Sequence, residues 1–289
     1  MKMRKFVTCL MATLLLASAL LLMSCGNAKT ETKEDVPVTS ENEAAGAEKV
    51  SDKDISEPSG RTKIGIIAAL SCELEILKEA LTDDVVESLA GTEFYCGTIG
   101  NYDVVLMQCG MGKVSAGAGA QAMITAYNPD YIINTGCAGA LAEELAVGDI
   151  VVADKTVEWD LDTIDIGNPR GYVSSLDKVE MTADKDLSDK ICAVFDEEEN
   201  VIRGMVVSGD QFVDKPEQRE LILSAFPEAL CAEMEGAAIG HVCEQNGVPF
   251  CVVRCMSDNA NGDSGVNFAE FSEIAGEKSA SYLLAFLNA

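Results

Sequence analysis

CAEMEGAAIGHV (231–242) and VVRCMSDNA (252–260) place a small-residue helix before an apolar strand, with an acid at one end of each element. Glu235 stands where the helix begins, and Asp258 stands where the strand ends. Proteins of the α/β class build their sites at such element ends. The same acids also fit structural roles, since a carboxylate stabilises a helix N-terminus and an Asp-Asn pair favours a turn.

Working outward, apolar β-branched runs alternate with segments of helical spacing. Strands are predicted at 63–70, 93–99, 102–109, 130–135, 148–153, 203–210 and 248–256, and helices at 71–78, 114–127, 184–199, 216–226, 231–242 and 269–287. Strands that are apolar on both faces need helices on each side. The pattern therefore predicts an α/β fold: one domain in three layers, with a twisted mixed sheet flanked by helices.

Other segments at predicted strand ends carry candidate site residues. Glu73 follows the first strand, where stabilisation of the helix dipole alone would explain it. The glycine-containing segment 136–139 would let a ligand or another backbone approach closely. Phe212 and Val213 follow the strand at 203–210 and either cap the core or form a platform for a flat aromatic ligand. The glycine turn at 110–113 departs from the P-loop spacing and is a weak phosphate signal.

The charge of the chain limits its partners. Asp and Glu total 48 against 21 Lys and Arg, for a formal net charge of -27. A surface this acidic repels polyanions, so the composition predicts no nucleic-acid partner and no attachment to anionic lipid head groups. Hydrophobic residues make up 48% of the chain, which suffices for one sizeable core. The expected ligands are small neutral or zwitterionic molecules.

The N-terminus has the pattern of a secretory signal. Basic residues at 2–5 precede an apolar run at 6–23, and Ser24 stands directly before Cys25. This arrangement resembles a bacterial lipoprotein signal. We predict a signal peptide at 1–24 and lipidation of Cys25, which would hold the protein outside the cytoplasm with that lipid as its only membrane contact. An uncleaved anchor is the alternative, because the run approaches spanning length.

Residues 25–60 follow as a polar segment. They are rich in Glu, Lys, Ser, Thr and Ala and show no apolar period. Such a composition buries too little surface to offset chain entropy, so it predicts a disordered acidic linker. The globular domain is then expected at 61–289.

Eleven cysteines invite a disulfide interpretation, but Cys9 and Cys25 belong to the signal and the lipid site. The nine that remain are an odd number, and several lie in apolar runs. Cys251 and Cys255 share a strand face but stand about 13 Å apart at ~3.3 Å per residue, too far for a bridge. We therefore expect free core thiols.

The titratable residues limit the types of catalytic reaction that this chain could perform. His241 is the only histidine and lies within a predicted helix, which argues against Ser-His and Cys-His nucleophiles and against His-rich zinc sites. Neither a metal nor a cofactor is predicted. What remains is acid–base work by Glu73, Glu235 and Asp258, the chemistry that cleaves glycosidic bonds through an oxocarbenium-like transition state.

Seven motifs in register carry a family resemblance. They are IGIIAALSCE (64–73), GMGKV (110–114), INTGCAG (133–139), VGDIVV (147–152), VSGDQF (207–212), AEME (232–235) and RCMSD (254–258). In order and spacing they resemble the 5′-methylthioadenosine/S-adenosylhomocysteine nucleosidases of the nucleoside phosphorylase superfamily, over residues 62–289. The resemblance implies hydrolysis of the N-glycosidic bond of these and related 5′-substituted adenosines, releasing adenine and the 5′-thioribose. It also implies a homodimer.

The resemblance assigns a role to each matching position. Asp258 would donate a proton to N7 of adenine with support from Ser257, and Glu235 would hold the ribose hydroxyls beside Met234. Glu73 would orient and deprotonate the attacking water. The remaining substrate-binding positions implied are Ala69, Met111, Cys137, Ala138 and Phe268 in the pocket wall, Phe212 stacking on adenine, and Val213 presenting its backbone to the base edge.

Two other functions remain open. A purine nucleoside phosphorylase would need cations for phosphate, and only Arg254 and Lys113 are available while Glu73 would repel the anion. A non-catalytic, nucleoside-binding surface lipoprotein would not need all three acids.

Three departures from the family affect these expectations. Cys137 stands where relatives often carry serine or another small residue. Trp159 stands where many carry histidine, in the long polar loop 158–171 that we expect at a rim or a subunit contact. Both leave the preferred 5′-substituent open. The lipoprotein signal is the third departure, since the family normally acts on cytoplasmic metabolites.

Overall fold

The computed structural model describes residues 60–89, 91–195, 199–260 and 264–289, apart from the side chains of 264–267 and 269. Its strands are β1 (Lys63–Ala68), β2 (Thr82–Leu89), β3 (Thr92–Ile99), β4 (Tyr102–Gln108), β5 (Tyr131–Ala140), β6 (Ile150–Glu158), β7 (Glu180–Thr182), β8 (Val201–Ser208), β9 (Ala229–Glu233) and β10 (Phe250–Asp258). Its helices are α1 (Glu75–Ala80), α2 (Lys113–Tyr127), α3 (Lys185–Cys192), α4 (Pro216–Ala225), α5 (Gly236–Asn246) and α6 (Ser264–Leu287). The predicted signal peptide, Cys25 and nearly all of the linker lie outside the described residues.

One mixed sheet carries the domain. Strands β4, β1, β5 and β10 are parallel neighbours, and β2–β3–β4 form antiparallel hairpins on one side. On the other side β6 runs antiparallel to β10 and parallel to β8, which pairs with β9. Strand β9 returns to pair with the end of β5, so β5, β10, β6, β8 and β9 close into a ring. The predicted α/β class with a mixed sheet flanked by helices is confirmed.

Alternate residues of the central strands bury opposite faces of the sheet. Ile67 and Val252 join one core with residues of α2 and α5, whereas Ile66 and Val253 join a second core with residues of α1, α3 and α6. A strand covered on both faces has no polar face, and this accounts for the continuous apolar runs in the sequence.

Several predicted elements differ from those observed. Strands β2, β7 and β9 were missing from the prediction, and the helix expected at 184–199 ends at Cys192. Glu73 ends a single 3-10 turn, Ser71–Glu73, before α1 begins. The glycine segment 136–139 continues β5. Within the described residues, we find no helix with the length and apolarity needed to span a membrane.

Trp159 corrects another expectation, because it lies at neither a rim nor a subunit surface. Its side chain is 1% exposed and belongs to a third apolar cluster, with Val157 and Phe226. A Cβ on Gly209 would lie 2.5 Å from the indole Nε1, so this glycine gives the ring its space. The ring therefore fills the core under the loop 158–171.

The nine cysteines among the described residues are free thiols, as predicted. Five of them are buried: Cys137, Cys231, Cys243, Cys251 and Cys255. Burial raises the pKa of the Cys251 and Cys255 thiols to about 12 in each case. They are therefore uncharged members of the apolar core.

Candidate active site

The predicted acids meet in a cavity at the carboxyl ends of the parallel strands. The cavity encloses about 570 Å³ including its open mouth. All twelve predicted catalytic and substrate-binding residues line it: Ala69, Glu73, Met111, Cys137, Ala138, Phe212, Val213, Met234, Glu235, Ser257, Asp258 and Phe268. Leu70, Gly139, Gln211, Ala232, Glu233 and Arg254 complete the lining. These residues are far apart in the sequence but close in the fold, because β1, β5 and β10 end at the same edge of the sheet.

The carboxylate of Glu73 is fixed by backbone donors. Its Oε2 accepts hydrogen bonds from the nitrogens of Ala69 (2.9 Å) and Leu70 (2.8 Å), and its Oε1 accepts one from the nitrogen of Cys137 (3.1 Å). The side chain is 1% exposed. The 3-10 turn after β1 thus points a buried acid back across the end of β1 towards β5.

Asp258 ends β10 with both oxygens occupied by local donors. Oδ1 accepts a hydrogen bond from the nitrogen of Ala260 at 2.9 Å, and Oδ2 accepts one from the Ser257 hydroxyl at 3.0 Å. A Cβ on Gly139 would lie 2.7 Å from Oδ1, so the glycine of β5 gives this carboxyl its place. The glycine segment 136–139 was expected to let a ligand or another backbone approach closely. At Gly139 the groups that approach are the side chains of Asp258 and Ala260.

Glu235 lies between a glycine turn and a guanidinium. Its Oε1 accepts a 2.8 Å hydrogen bond from the nitrogen of Gly112, and its Oε2 lies 3.5 Å from Nη2 of Arg254. Burial, followed by the negative charge of Glu233, raises the pKa of Glu235 to about 7, against the opposing effects of Arg254 and Gly112. This acid can therefore change its charge near neutral pH.

Arg254 is the buried cation at the centre of the site. Its Nη2 contacts the carboxylate of Glu233 and the side-chain oxygen of Asn134, and its Nη1 donates to the carbonyl of Cys137 at 3.3 Å. Burial opposes its charge, but Glu233 and Glu235 outweigh that effect and raise the pKa of Arg254. It stays a cation, and its Nε has no hydrogen-bond partner among the residues that the structure describes.

Glu233 organises the start of α5. Its Oε2 accepts hydrogen bonds from the nitrogens of Glu235 (3.0 Å) and Gly236 (2.8 Å), and its Oε1 accepts one from the hydroxyl of Ser208. It is 7% exposed. Sequence reasoning named Arg254 only as a possible cation for phosphate and left Glu233 as a supporting residue. An arginine within an apolar strand was the available signal, because a buried charge requires partners.

Apolar residues form the outer part of the cavity. Phe212 is 43% exposed and meets Phe268 edge-on, with ring centroids 5.3 Å apart and planes at 72°. Met111 is 63% exposed, whereas Val213 is 7% exposed. Part of the Phe212 side chain is thus accessible to a ligand, whereas the carboxyl groups of Glu73, Glu235 and Asp258 are buried.

Two other charged or titratable residues, Lys113 and His241, lie outside the cavity. Lys113 Nζ is held by Glu158 (2.8 Å) and Asp160 (2.7 Å). His241 contacts Glu158 through Nδ1 at 2.8 Å and Ser175 through Nε2 at 2.9 Å. Neither residue lines the cavity. Over the described part of the chain, no group of three or more His, Cys, Asp or Glu side chains is placed to hold a metal ion.

The comparison with protein families agrees with this fold. The model of the phosphorylase superfamily matches residues 63–288. The chain therefore belongs to the phosphorylase superfamily.

Similar proteins within that superfamily indicate which of its families the chain belongs to. The 5′-methylthioadenosine/S-adenosylhomocysteine nucleosidase of Staphylococcus aureus (strain bovine RF122 / ET3-1) is 39% identical over 226 residues, which are 78% of this chain and 99% of the relative. The Listeria monocytogenes nucleosidase of the same name is 36% identical over 230 residues, 78% of this chain and 98% of the relative.

Solved structures give the same result. The S. pneumoniae nucleosidase with the transition-state inhibitor MT-ImmA matches with a TM-score of 0.76 at 39% identity, covering 79% of this chain and 99% of that one. The Streptococcus pyogenes enzyme in complex with 5-methylthiotubericidin matches with a TM-score of 0.77 at 35% identity, covering 80% and 98%. The chain is a member of the 5′-methylthioadenosine/S-adenosylhomocysteine nucleosidase family.

Proposed function

We propose that this chain hydrolyses the N-glycosidic bond of 5′-methylthioadenosine, S-adenosylhomocysteine and related 5′-substituted adenosines, releasing adenine and the 5′-thioribose. The observation that carries the proposal is the convergence of Glu73, Glu235 and Asp258 on one buried cavity. Three carboxyl groups suit a reaction whose transition state is a cationic sugar, because anions placed before the reaction stabilise that charge.

Each acid has a position that fits one step. Asp258, at the end of the cavity with Ser257, protonates N7 so that adenine leaves as a neutral base. The carboxylate of Glu235 accepts hydrogen bonds from the ribose hydroxyls. The hydrogen bond from the nitrogen of Gly112 fixes the position of this carboxylate. Glu73, held by three backbone donors, takes the proton of the water that attacks the anomeric carbon.

Water is favoured over phosphate as the nucleophile. Among the described residues that line the cavity, Arg254 is the only cationic side chain, and it already pairs with Glu233 and Glu235. Lys113 is neutralised by Glu158 and Asp160. A phosphate dianion would therefore meet Glu73 without a free cation to compensate. Turnover that depends on added phosphate would support the phosphorylase alternative instead.

The experiment is release of free adenine by the full chain, with and without phosphate. The panel contains 5′-methylthioadenosine, S-adenosylhomocysteine, 5′-deoxyadenosine, adenosine and inosine. Asp258→Asn should lower kcat by about 10²- to 10⁴-fold, because the general acid is removed. Asp186→Asn, an exposed acid on α3, is the matched control and should retain full activity. Tight nucleoside binding without turnover by the unmodified chain would establish the non-catalytic binding alternative.

We further propose a homodimer. Exposed apolar side chains lie on two adjoining segments: Met111 and Val114 at the start of α2, and Ile164 and Ile166 in the loop 158–171. The 2.7 Å contact between Lys113 and Asp160 ties these segments together. Apolar surface of this kind marks an interface. Val114→Glu should shift the mass measured by light scattering from two chains to one, and an unmodified chain of single mass would refute the dimer.

We also propose that the protein is anchored outside the cytoplasm by a lipid on Cys25. The basic start, the apolar run and the Ser24-Cys25 junction support this localisation. External nucleosides would then be the substrates. Metabolic labelling with a fatty acid should mark the unmodified chain and leave Cys25→Ser unlabelled. Recovery of the unmodified protein only in cytosolic fractions would contradict the proposal.

A further inference from the structure

Two surface segments that contribute to the catalytic cavity also contact each other outside it. We call them the ribose turn, residues 110–112, and the base loop, residues 209–213. The ribose turn supplies the nitrogen of Gly112, which donates a 2.8 Å hydrogen bond to Glu235. The base loop supplies Phe212 and Val213, which line the cavity. The position of one segment against the other therefore sets how Glu235 and Phe212 are arranged around a ligand.

The ribose turn depends on other elements for its conformation. Gly110 and Gly112 have φ angles of 78° and 100°, a region that glycine enters without steric cost. Gly112 is also the N-cap of α2, and it has no side chain to accept hydrogen bonds from the first N–H groups of that helix. A turn built in this way needs contacts from outside to stay in one conformation.

Asp160, Asp210 and Lys113 supply those contacts in a closed circuit of hydrogen bonds, which we call the Asp160 ring. Oδ1 of Asp210 accepts a 2.7 Å hydrogen bond from the nitrogen of Lys113, the first residue of α2. Oδ2 of Asp160 accepts one of 2.8 Å from the nitrogen of Asp210. Oδ1 of Asp160 accepts one of 2.7 Å from Nζ of Lys113. The ring thus joins the ribose turn and the base loop to the loop 158–171.

The carboxylate of Asp160 has a role that the charge of Lys113 does not explain. Lys113 has a second acidic partner, Glu158, at 2.8 Å, so Asp160 is not required to neutralise the lysine. Asp160 places one oxygen on Lys113 and the other on the backbone of Asp210, and its side chain is only 14% exposed. The two oxygens therefore connect the two segments directly.

We propose that Asp160 is a positioning residue for the hydrolysis of the nucleoside. It fixes the ribose turn against the base loop, and so places the nitrogen of Gly112 to hold Glu235 at the distance that the ribose requires. This inference rests on the proposed function and adds to it a residue that lies outside the cavity lining. The groups that bind the sugar and the base are thereby held as one unit.

Asp160→Asn is the direct test, because an amide cannot accept hydrogen bonds on both sides. Its oxygen replaces one carboxylate oxygen, and its NH2 group faces either Nζ of Lys113 or the nitrogen of Asp210, which are both donors. One side of the ring therefore opens. We expect kcat/KM for 5′-methylthioadenosine to fall about 10- to 100-fold, since a displacement of about 1 Å can have an effect of that size. Asp210→Ala opens the ring at an exposed residue and should act in the same direction.

The pH profile separates positioning from a general loss of structure. Burial raises the pKa of Glu235 to about 7, and the hydrogen bond from Gly112 opposes that shift. When the ribose turn is released, this hydrogen bond weakens, so the acidic limb of kcat/KM should move up by about one pH unit in Asp160→Asn. Removal of a nearby negative charge by itself would move the limb down. The other charged groups that act on this carboxylate are unchanged in the variant: Glu73, Glu233 and Arg254.

Two variants in the same region are matched controls. Glu158→Gln removes the other carboxylate of Lys113 and leaves the Asp160 ring closed, so it should not raise the limb. Asp162→Asn changes an acid of the same loop that pairs with Arg170, and it should alter neither the limb nor kcat/KM. Thermal melting shows that each variant is folded. Light scattering gives its mass, because the same segments carry the proposed dimer surface.

The outcomes separate this inference from the proposed function. A limb that stays in place or moves down in both Asp160→Asn and Asp210→Ala would overturn the inference and leave the proposed function intact. An equal upward shift in Glu158→Gln would also overturn it, since the charge around Lys113 would then be the cause. An upward shift that accompanies a change from two chains to one would assign the effect to the interface and have the same consequence. Failure of the unmodified chain to release adenine would overturn both proposals.

Discussion

The backbone nitrogen of Gly112 lies 2.8 Å from Oε1 of Glu235, across 123 residues of sequence. One oxygen of this carboxylate is therefore committed to the protein, and the other faces Arg254 at 3.5 Å. Burial raises the pKa of the same group to about 7. Its position and its charge are thus set by different parts of the fold.

The first prediction concerns pH. The ionised carboxylate of Glu235 accepts hydrogen bonds from the ribose hydroxyls and stabilises a cationic sugar. The protonated carboxyl group is weaker in both roles. We expect kcat/KM for 5′-methylthioadenosine to fall as the pH drops through about 7, approaching tenfold per pH unit. A profile measured from pH 5 to 9 checks this. Glu235→Gln should lose most of its activity and show no limb near pH 7; a limb that persists there would assign the titration to another group.

The second prediction concerns stability. Because the pKa of Glu235 is raised in the folded state, its stabilising contribution is complete below the unfolded value of about 4.3 and is lost as the pH rises through about 7. Replacing the acid with Gln removes that loss, and the attraction between Arg254 and the carboxylate is already contained in the raised pKa. Glu235→Gln should therefore gain on the order of 3–4 kcal/mol over the unmodified chain at pH 8, and less at pH 5. Thermal melting at both pH values measures the difference, and an equal gain at both would contradict it.

The third prediction concerns the water base. Glu73→Gln keeps the size of the side chain and its carbonyl acceptor but cannot take a proton. We expect kcat to fall by about 10²- to 10⁴-fold, with a much smaller change in KM. Glu75→Gln is the matched control, since Glu75 is exposed in the first turn of α1. A variant that loses binding and keeps kcat would place Glu73 outside the chemical step.

The fourth prediction concerns the buried ion pair. Arg254→Met leaves Glu233 and Glu235 without their cation, and breaking a buried pair costs about 3–5 kcal/mol. Arg203→Met is the control, because its partner Asp189 lies at the surface and such pairs contribute at most about 1 kcal/mol. Urea unfolding followed by the fluorescence of Trp159, the single tryptophan and fully buried, measures both. Equal losses would show that Arg254 is not held as a buried charge.

Much of the fold could be predicted because its determinants are local. Ile66 and Ile67 are consecutive apolar residues, and such runs indicate strands covered on both faces. The convergence of Glu73 and Asp258 follows from the parallel order of their strands, whose carboxyl ends share an edge. The family resemblance supplied the remaining register of the site residues.

The features that the sequence did not predict depend on pairing between distant parts of the chain. No local sequence pattern indicates such pairing. Strand β9 is five residues long and is defined by its pairing with β5 and β8. Strand β2 is mostly exposed and polar, so it has no apolar period. The partners of Arg254 lie on separate elements, and only the assembled sheet brings Asn134 and Glu233 to its guanidinium.

The fifth prediction tests how closely β5 and β10 must approach. In Gly139→Ala the new methyl carbon would lie 2.7 Å from Oδ1 of Asp258 and 3.2 Å from Cβ of Ala260. The carboxyl has to move, so we expect kcat to fall at least about tenfold, since small displacements of a catalytic group are costly.

Gly117→Ala is the matched control for this change. Gly117 lies within α2, and its new Cβ would meet Val242 at an ordinary 3.6 Å. Alanine is the better helix former by about 0.5–1 kcal/mol, so this variant should melt at a slightly higher temperature and keep full activity. Because Gly139 lies in an extended strand, Gly139→Ala should remain folded and lose catalysis. If it retains full kcat, the carboxyl of Asp258 tolerates displacement, and the assignment of this group as the acid for the purine fails.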